Sequence, residues 1–261
     1  MTESSSKMKR NPFDLTGRTA LVTGGNQGLG RAFAFGLADA GATVAIAGRS
    51  AERNATVVAE AAEAGHTMHP ITADITKSDD VARMTAEAIE ALGHVDVLVN
   101  NAGTIERTPA AEHPLEMWDR VLSVNLDSQF VLTQAVGRSM IARGYGKVVF
   151  TASLLSFQGG VNVPGYVASK SAIAGLTKAL ANEWTSLGVN VNALAPGYIA
   201  TDNTQALQDD PARSRSILER IPAGRWGQAS DLGGAAVFLA SPASDYVSGI
   251  TLPVDGGWLG R

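Results

Sequence analysis

The chain has 261 residues, 45% of them hydrophobic and 18% charged, with a net charge of −4. That balance supplies a large core and suits one undivided α/β domain. It argues against a nucleic-acid backbone as the main partner, and the absence of cysteine excludes disulfides, Cys-ligated zinc and iron–sulfur clusters.

The first ten residues, MTESSSKMKR, are polar and lack the apolar stretch of a secretory signal. No apolar run approaches the roughly 20 residues that span a bilayer. The expectation is a cytoplasmic protein with no membrane partner, a flexible tail over 1–10 and a single domain over 11–261.

Strands are predicted at Thr19–Thr23, Thr43–Ala47, Thr67–Ile71, Val95–Val99, Lys147–Thr151, Asn190–Leu194 and Ile250–Val254. Helical periodicity lies between them, around 29–40, 51–64, 78–92, 115–143, 165–187 and 230–240. Runs such as VDVLV and KVVF are apolar on both faces, as in a parallel sheet covered on both sides. The alternation predicts a Rossmann-like, doubly wound three-layer α/β sandwich with a seven-stranded parallel sheet. Ligands of such sheets bind at the carboxyl ends of the strands.

The first strand runs directly into Gly24-Gly25-Asn26-Gln27-Gly28-Leu29-Gly30 and then a helix. Backbone without β-carbons can turn tightly there and bring a pyrophosphate to the helix N-terminus. The second strand ends Gly48-Arg49-Ser50, with no carboxylate to accept from a ribose 2′-hydroxyl. Arg49 could instead hold a 2′-phosphate, so NADP(H) is favoured and NAD(H) remains open. Asp74-Ile75 after the third strand and Asn101-Ala102-Gly103 after the fourth fall at the same edge and are candidates to complete the cofactor site.

Tyr166 and Lys170 are one turn apart at the start of a predicted helix, so they share a face. A nearby ammonium favours a phenolate and would draw the tyrosine down from its usual pKa near 10. Ser153, just after the fifth strand, is placed to hydrogen-bond a substrate oxygen.

TGGNQGLG, NNAG, Asn125, Ser153, YVASK and Pro196-Gly197, in this order and spacing, resemble the short-chain dehydrogenase/reductase family over about residues 13–261. The resemblance implies a catalytic tetrad of Asn125, Ser153, Tyr166 and Lys170. In it Tyr166 exchanges the proton, Ser153 orients the carbonyl, Lys170 also binds the nicotinamide ribose, and Asn125 supports a water leading from Lys170 to solvent. Pro196, Gly197, Ile199 and Thr201 would lie along the nicotinamide, with Thr201 at its carboxamide. A homotetramer is also implied, built from the helices at 115–143 and 165–187 and the C-terminal region.

The second half, including APGYIATDNTQAL, IPAGRWG and VDGGWLGR, resembles the branch containing 2-deoxy-D-gluconate 3-dehydrogenase, 2-dehydro-3-deoxy-D-gluconate 5-dehydrogenase and gluconate 5-dehydrogenase. That implies a sugar acid exchanged between secondary alcohol and ketone. Gln158, Asn203 and Gln205, with Thr204, offer groups for sugar hydroxyls. Arg107, with Arg213 or Arg225, could meet the carboxylate. Glu106 stands where the branch often carries a basic residue, and beside Arg107 it could neutralise that charge and favour a neutral sugar or polyol.

His66, His69, His94 and His113 are read as surface residues, and no metal site is expected. Trp226 and Trp258 are open between subsite walls and packing. The alternatives are a reductase of β-ketoacyl thioesters, which would need a basic docking surface that 104–114 and 203–216 lack, and a non-catalytic cofactor sensor.

Overall fold

The five central strands are buried on both faces, so helices must cover them twice over, while the two edge strands are only partly buried. The structure, a computed structural model, describes residues 11–261; the expected tail at 1–10 lies outside the described residues. The strands are β1 Thr19–Thr23, β2 Thr43–Gly48, β3 Met68–Thr72, β4 Val97–Asn100, β5 Gly146–Thr151, β6 Val189–Pro196 and β7 Thr251–Val254. They form one sheet in the order β3-β2-β1-β4-β5-β6-β7. The seven-stranded doubly wound sandwich is the fold expected from the sequence.

Between the strands run α1 Gly28–Asp39, α2 Ala51–Glu63, α3 Ser78–Leu92, α4 Leu115–Leu122, α5 Ser128–Arg143, α6 Pro164–Trp184, α7 Gln205–Gln208, α8 Pro211–Leu218 and α9 Gly233–Ala240. Two apolar clusters cover the faces of the sheet. Phe33, Leu37, Val57 and Leu239 pack on one side with Val22 and Ile46; Met84, Leu132, Met140 and Ile173 pack on the other with Leu21 and Leu98. Each edge strand carries a proline, Pro70 in β3 and Pro253 in β7. An edge strand tolerates a missing N–H, and a proline there blunts pairing with another chain.

Two predicted helices differ in detail, and two helices were not predicted. The helix expected over 115–143 is interrupted by a π turn at Ser123–Asp127. The one expected over 165–187 ends its α-helical part at Trp184 and tightens to a 3₁₀ turn, Thr185–Leu187. α7 and α8 were not expected; α8 starts at Asp210, whose carboxylate caps the backbone N–H of Ala212 and Arg213 at 3.0 Å each. No described helix is long and apolar enough to cross a membrane.

Strand order reverses at β1, which lies between β2 and β4. This switch point opens a crevice at the carboxyl ends of the strands, and the candidate residues collect there.

Candidate active site

A cleft of 520 Å³ runs along the carboxyl edge of the sheet. One end is lined by Gly24, Asn26, Gln27, Gly28, Leu29, Arg49, Asp74 and Ile75, the middle by Asn101, Ala102 and Gly103, and the other end by Tyr166, Lys170 and Thr201.

The glycine loop is shaped by contacts that no side chain would allow. Gly24 sits at φ +64°, and a β-carbon on Gly30 would lie 2.1 Å from the Gly24 carbonyl oxygen and 2.5 Å from Asn101 Nδ2. The loop therefore folds flat against the Asn101 turn and leads into the N-terminus of α1. Bare backbone, a helix N-terminus and a long adjoining cleft fit a dinucleotide. Thr23 binds this loop to the fourth-strand turn: its hydroxyl accepts from the N–H of Asn101 and Ala102 at 3.0 and 3.1 Å. Gln129 of α5 secures the same turn by donating to the Ala102 carbonyl at 2.8 Å.

At the adenosine end, Arg49 is exposed at the tip of β2. Asp74 Oδ1 accepts from the hydroxyl of Thr76 at 2.8 Å and its N–H at 3.1 Å. Partial burial opposes ionisation of Asp74, but these bonds and the charges of Arg49 and Lys77 leave its pKa lowered. Asn54 of α2 was missed by the sequence reading. It is wholly buried, accepts from Asn26 Nδ2 at 2.7 Å, and donates to the carbonyls of Gly48 and Ile71 at 3.1 and 2.9 Å. The one available signal was an amide on the inward face of α2, whose other buried positions are Val57 and Ala61.

At the other end, Tyr166 is half-buried, with the Ser153 hydroxyl close enough to favour its ionised form. Ser153 Oγ also accepts from the N–H of Leu155 at 3.2 Å. Lys170 lies under the tyrosine, its Nζ 5.6 Å from the ring centroid, and donates to the Thr151 carbonyl at 2.6 Å. Burial pushes Lys170 down from 10.5 to about 8. Burial also dominates at Tyr166: the Ser153 hydroxyl and the positive field of Arg107 pull its pKa down, yet the net direction is up. The protein in this state does not produce the downward shift expected for Tyr166, because desolvation outweighs both contributions.

Asn125 occupies the π turn and is wholly buried. Its Oδ1 accepts from the N–H of Thr104 at 2.8 Å; its Nδ2 donates to the Thr104 carbonyl at 2.9 Å and to Ser169 Oγ at 3.1 Å. A β-carbon on Gly103 would lie 3.3 Å from Asn125 Oδ1 and 3.8 Å from Lys170 Nζ, so these three residues converge. The Asn125 side chain is spent on protein partners, which leaves its backbone to meet any water.

The substrate candidates separate. Arg107 and Asn203 line the cleft, and Arg107 Nη2 donates to the Asn203 carbonyl at 3.0 Å, joining its two walls. Glu106 pairs with Arg120, Oε1 to Nε 3.4 Å, rather than with Arg107. Arg120 itself lines the cleft and was missed. Gln158 does not line it; Gln158 Oε1 accepts from Trp258 Nε1 at 3.1 Å. Gln205 turns to Asp209 at 2.7 Å, and Arg225 is held by both oxygens of Asp231 at 2.7 and 3.0 Å. The Arg225 bond and the Gln228 N–H bring Asp231 to a pKa of about 2. Arg213 also lies off the cleft.

Pro196, Gly197 and Ile199 support the cleft without lining it. A β-carbon on Gly197 would lie 2.6 Å from Asp255 Cα, and Ile199 bridges to Gly227. Trp226 and Trp258 pack on either side of Tyr198, with centroids 5.6 and 4.7 Å away. His66 pairs with Asp39 at 2.8 Å and His94 with Asp96 at 3.3 Å. His113 departs from the surface expectation, since both its ring nitrogens are buried without a hydrogen-bond partner.

A family model described as short chain dehydrogenase matches residues 18–212. A 2-dehydro-3-deoxy-D-gluconate 5-dehydrogenase of Bacillus subtilis is 53% identical over 249 residues, covering 95% of this chain and 97% of its own. A gluconate 5-dehydrogenase of Gluconobacter oxydans is 41% identical over 250 residues, covering 94% and 96%. The crystal structure of a gluconate 5-dehydrogenase from Burkholderia cenocepacia, in complex with NADP and tartrate, superposes with a TM-score of 0.93 at 42% identity over 96% of this chain and 98% of that one. With the glycine cradle, the Tyr166–Lys170 pair and these likenesses together, the chain belongs to the short-chain dehydrogenase family and is an NAD(P)-dependent oxidoreductase acting on CH–OH groups.

Proposed function

We propose that this protein interconverts a secondary alcohol and a ketone on a sugar acid of the gluconate or deoxy-keto-gluconate type, using NADP(H). The observation that carries the reading is Arg107. Its side chain lines the cleft free of Glu106, and its positive field reaches Tyr166. A guanidinium at that range suits a carboxylate a few carbons from the reacting centre. Arg49, at the end of a strand that itself carries no carboxylate, supports NADP over NAD. The named activities of the similar proteins point the same way. A homotetramer through the region of α4, α5 and α6 is part of this reading, supported by the exposed Phe130 and Val131 of α5.

A bound nicotinamide supplies the hydride acceptor in oxidation and the donor in reduction. Gly24 to Gly30, Arg49, Asp74-Ile75 and Asn101 to Gly103 would hold the dinucleotide, and Lys170 and Thr201 would meet its nicotinamide half. In oxidation Tyr166 Oη, as the phenolate, takes the hydroxyl proton of the substrate, and the bound nicotinamide would accept the hydride. Ser153 holds the same oxygen and steadies the carbonyl that forms. Because Tyr166 lies above its ordinary pKa, oxidation should quicken as pH rises into the alkaline range, and reduction should be served at neutral pH by the phenol.

Incubation with NADP and a panel of aldonic acids, neutral sugars and polyols tests this reading. Turnover of at least one sugar acid in preference to every neutral compound is expected. Turnover confined to neutral polyols would overturn the sugar-acid assignment and leave the tetrad standing.

Lys170 allows a second test that separates chemistry from packing. Its protonation in the folded state is disfavoured, so its cost to stability is absent above pH 10.5, grows as pH falls and is complete below about 8. At pH 7 that cost is ~3 kcal/mol at 1.36 kcal/mol per unit. Lys170→Met removes it and strands the Thr151 carbonyl, a loss of ~1–3 kcal/mol. Turnover should fall at least ~100-fold, while the melting temperature at pH 7 stays near that of the parent. A large drop in melting temperature would assign Lys170 a structural role.

A further inference from the structure

The first turn of α2 grips the glycine loop through two consecutive side chains. Asn26 donates to Asn54, and Arg53 Nη1 donates to Gln27 Oε1. The two contacts differ in character. Asn54 is wholly buried and also spans the ends of β2 and β3, so its contact holds the fold together. Arg53 is exposed and meets only the neutral amide of Gln27, with no carboxylate in ion-pair range among the described residues. Neighbouring arginines are neutralised: Arg31 pairs with Glu60 at 2.7 Å, and Arg83 with Asp80 and Glu87 at 2.9 and 2.7 Å. Arg49, the other cation at this end, shares its field with Asp74.

Gln27 and Arg49 both line the cleft, and Arg53 is tethered to its rim through Gln27. One of its five N–H donors is spent on that amide, leaving the rest for an anion. We infer that Arg53, steered by Gln27, is a second cation for the phosphate on the adenosine ribose of NADP and, with Arg49, sets the choice between NADP and NAD. The inference rests on the cofactor preference proposed above. A phosphate ester carries close to two negative charges near neutral pH, and two guanidiniums from different segments match that charge better than Arg49 alone, whose field is shared.

Calorimetric titration of the full-length protein with 2′,5′-ADP and with 5′-ADP tests this without turnover. Arg53→Ala and Arg53→Gln should weaken 2′,5′-ADP by ~10-fold or more at low salt. They should change 5′-ADP by less than ~2-fold, since that ligand lacks the second phosphate. Arg53→Lys should recover part of the loss, and the difference should shrink as salt screens the charges. Equal weakening of both ligands would make Arg53 a tether for the loop and overturn the assignment, as would no change in either. If the unsubstituted protein binds both ligands alike, the NADP preference itself falls and takes the role of Arg53 with it. If it discriminates while the variants discriminate equally well, only Arg53 falls. Melting curves of each variant confirm that the exposed substitution leaves the fold intact.

Discussion

Tyr166→Phe should lower turnover by ~10²–10⁴-fold, the range by which a positioned proton-transfer group accelerates a reaction, with dinucleotide affinity unchanged within about twofold. The substitution removes one oxygen and keeps the ring that lies over Lys170, with Nζ 5.6 Å from the centroid. Ser153 retains its bond from the Leu155 N–H, so the wall between β5 and α6 should keep its shape. The cost therefore falls on proton transfer, and the alkaline rise of the oxidation rate should vanish with the hydroxyl. Single-turnover kinetics beside a cofactor titration separates the two effects. Activity within tenfold of the parent would mean that another group handles the proton.

Gly30→Ala should weaken dinucleotide binding at least ~100-fold, equivalent to about 3 kcal/mol, and lower the melting temperature. The added methyl would stand 2.1 Å from a backbone oxygen of Gly24, which no side-chain rotation can relieve. The loop would have to move as a piece, taking with it Gly24, whose φ of +64° few other residues would adopt, and the Asn101 turn packed against it. Gly234→Ala is the matched control: it lies in α9 with open space around its missing β-carbon. There the change should be neutral or slightly stabilising, as alanine is in a helix. Equal behaviour of the two variants in a cofactor titration would refute the view that close backbone contact shapes this site.

Which residues were readable in the sequence follows from where their constraints lie. Strands buried on both faces announce themselves as continuous apolar runs, and the glycine loop and Tyr166–Lys170 spacing are local patterns. Boundaries were less visible: β4 begins at Val97 rather than Val95, and β6 continues to Pro196 beyond Leu194. In both places burial extends past the ladder or the ladder past the β-branched run. The π turn at Ser123–Asp127 leaves no mark, since its residues continue the helical pattern around it. α7 and α8 lie in a polar stretch where Ile217 is the one fully buried side chain, although Asp210-Pro211 is a recognisable helix start.

Pairings across the fold were the least legible. Glu106 sits next to Arg107 in the chain yet meets Arg120, and Gln158, well placed by spacing for a substrate, is engaged by Trp258 from the far end of the chain. Sequence proximity favoured the wrong partner for Glu106 because the helix that presents Arg120 packs back over the loop. The consequence for chemistry is direct: the cleft keeps a cation at Arg107 that the local sequence suggested was cancelled.

That cation now holds the Asn203 carbonyl, 3.0 Å away, across the mouth of the cleft. A substrate carboxylate would take the place of a neutral acceptor with a charged one, which gains from the stronger bond. The most direct measurement compares an aldonic acid with the polyol of the same carbon chain, each oxidised with NADP by the parent and by Arg107→Ala. The expected result is a rise in KM for the acid of ~10-fold or more, from loss of a charge-assisted hydrogen bond worth ~1.5–3 kcal/mol, with the polyol changed by less than about twofold. An equal loss on both compounds, or none on the acid, would contradict a carboxylate-reading cleft.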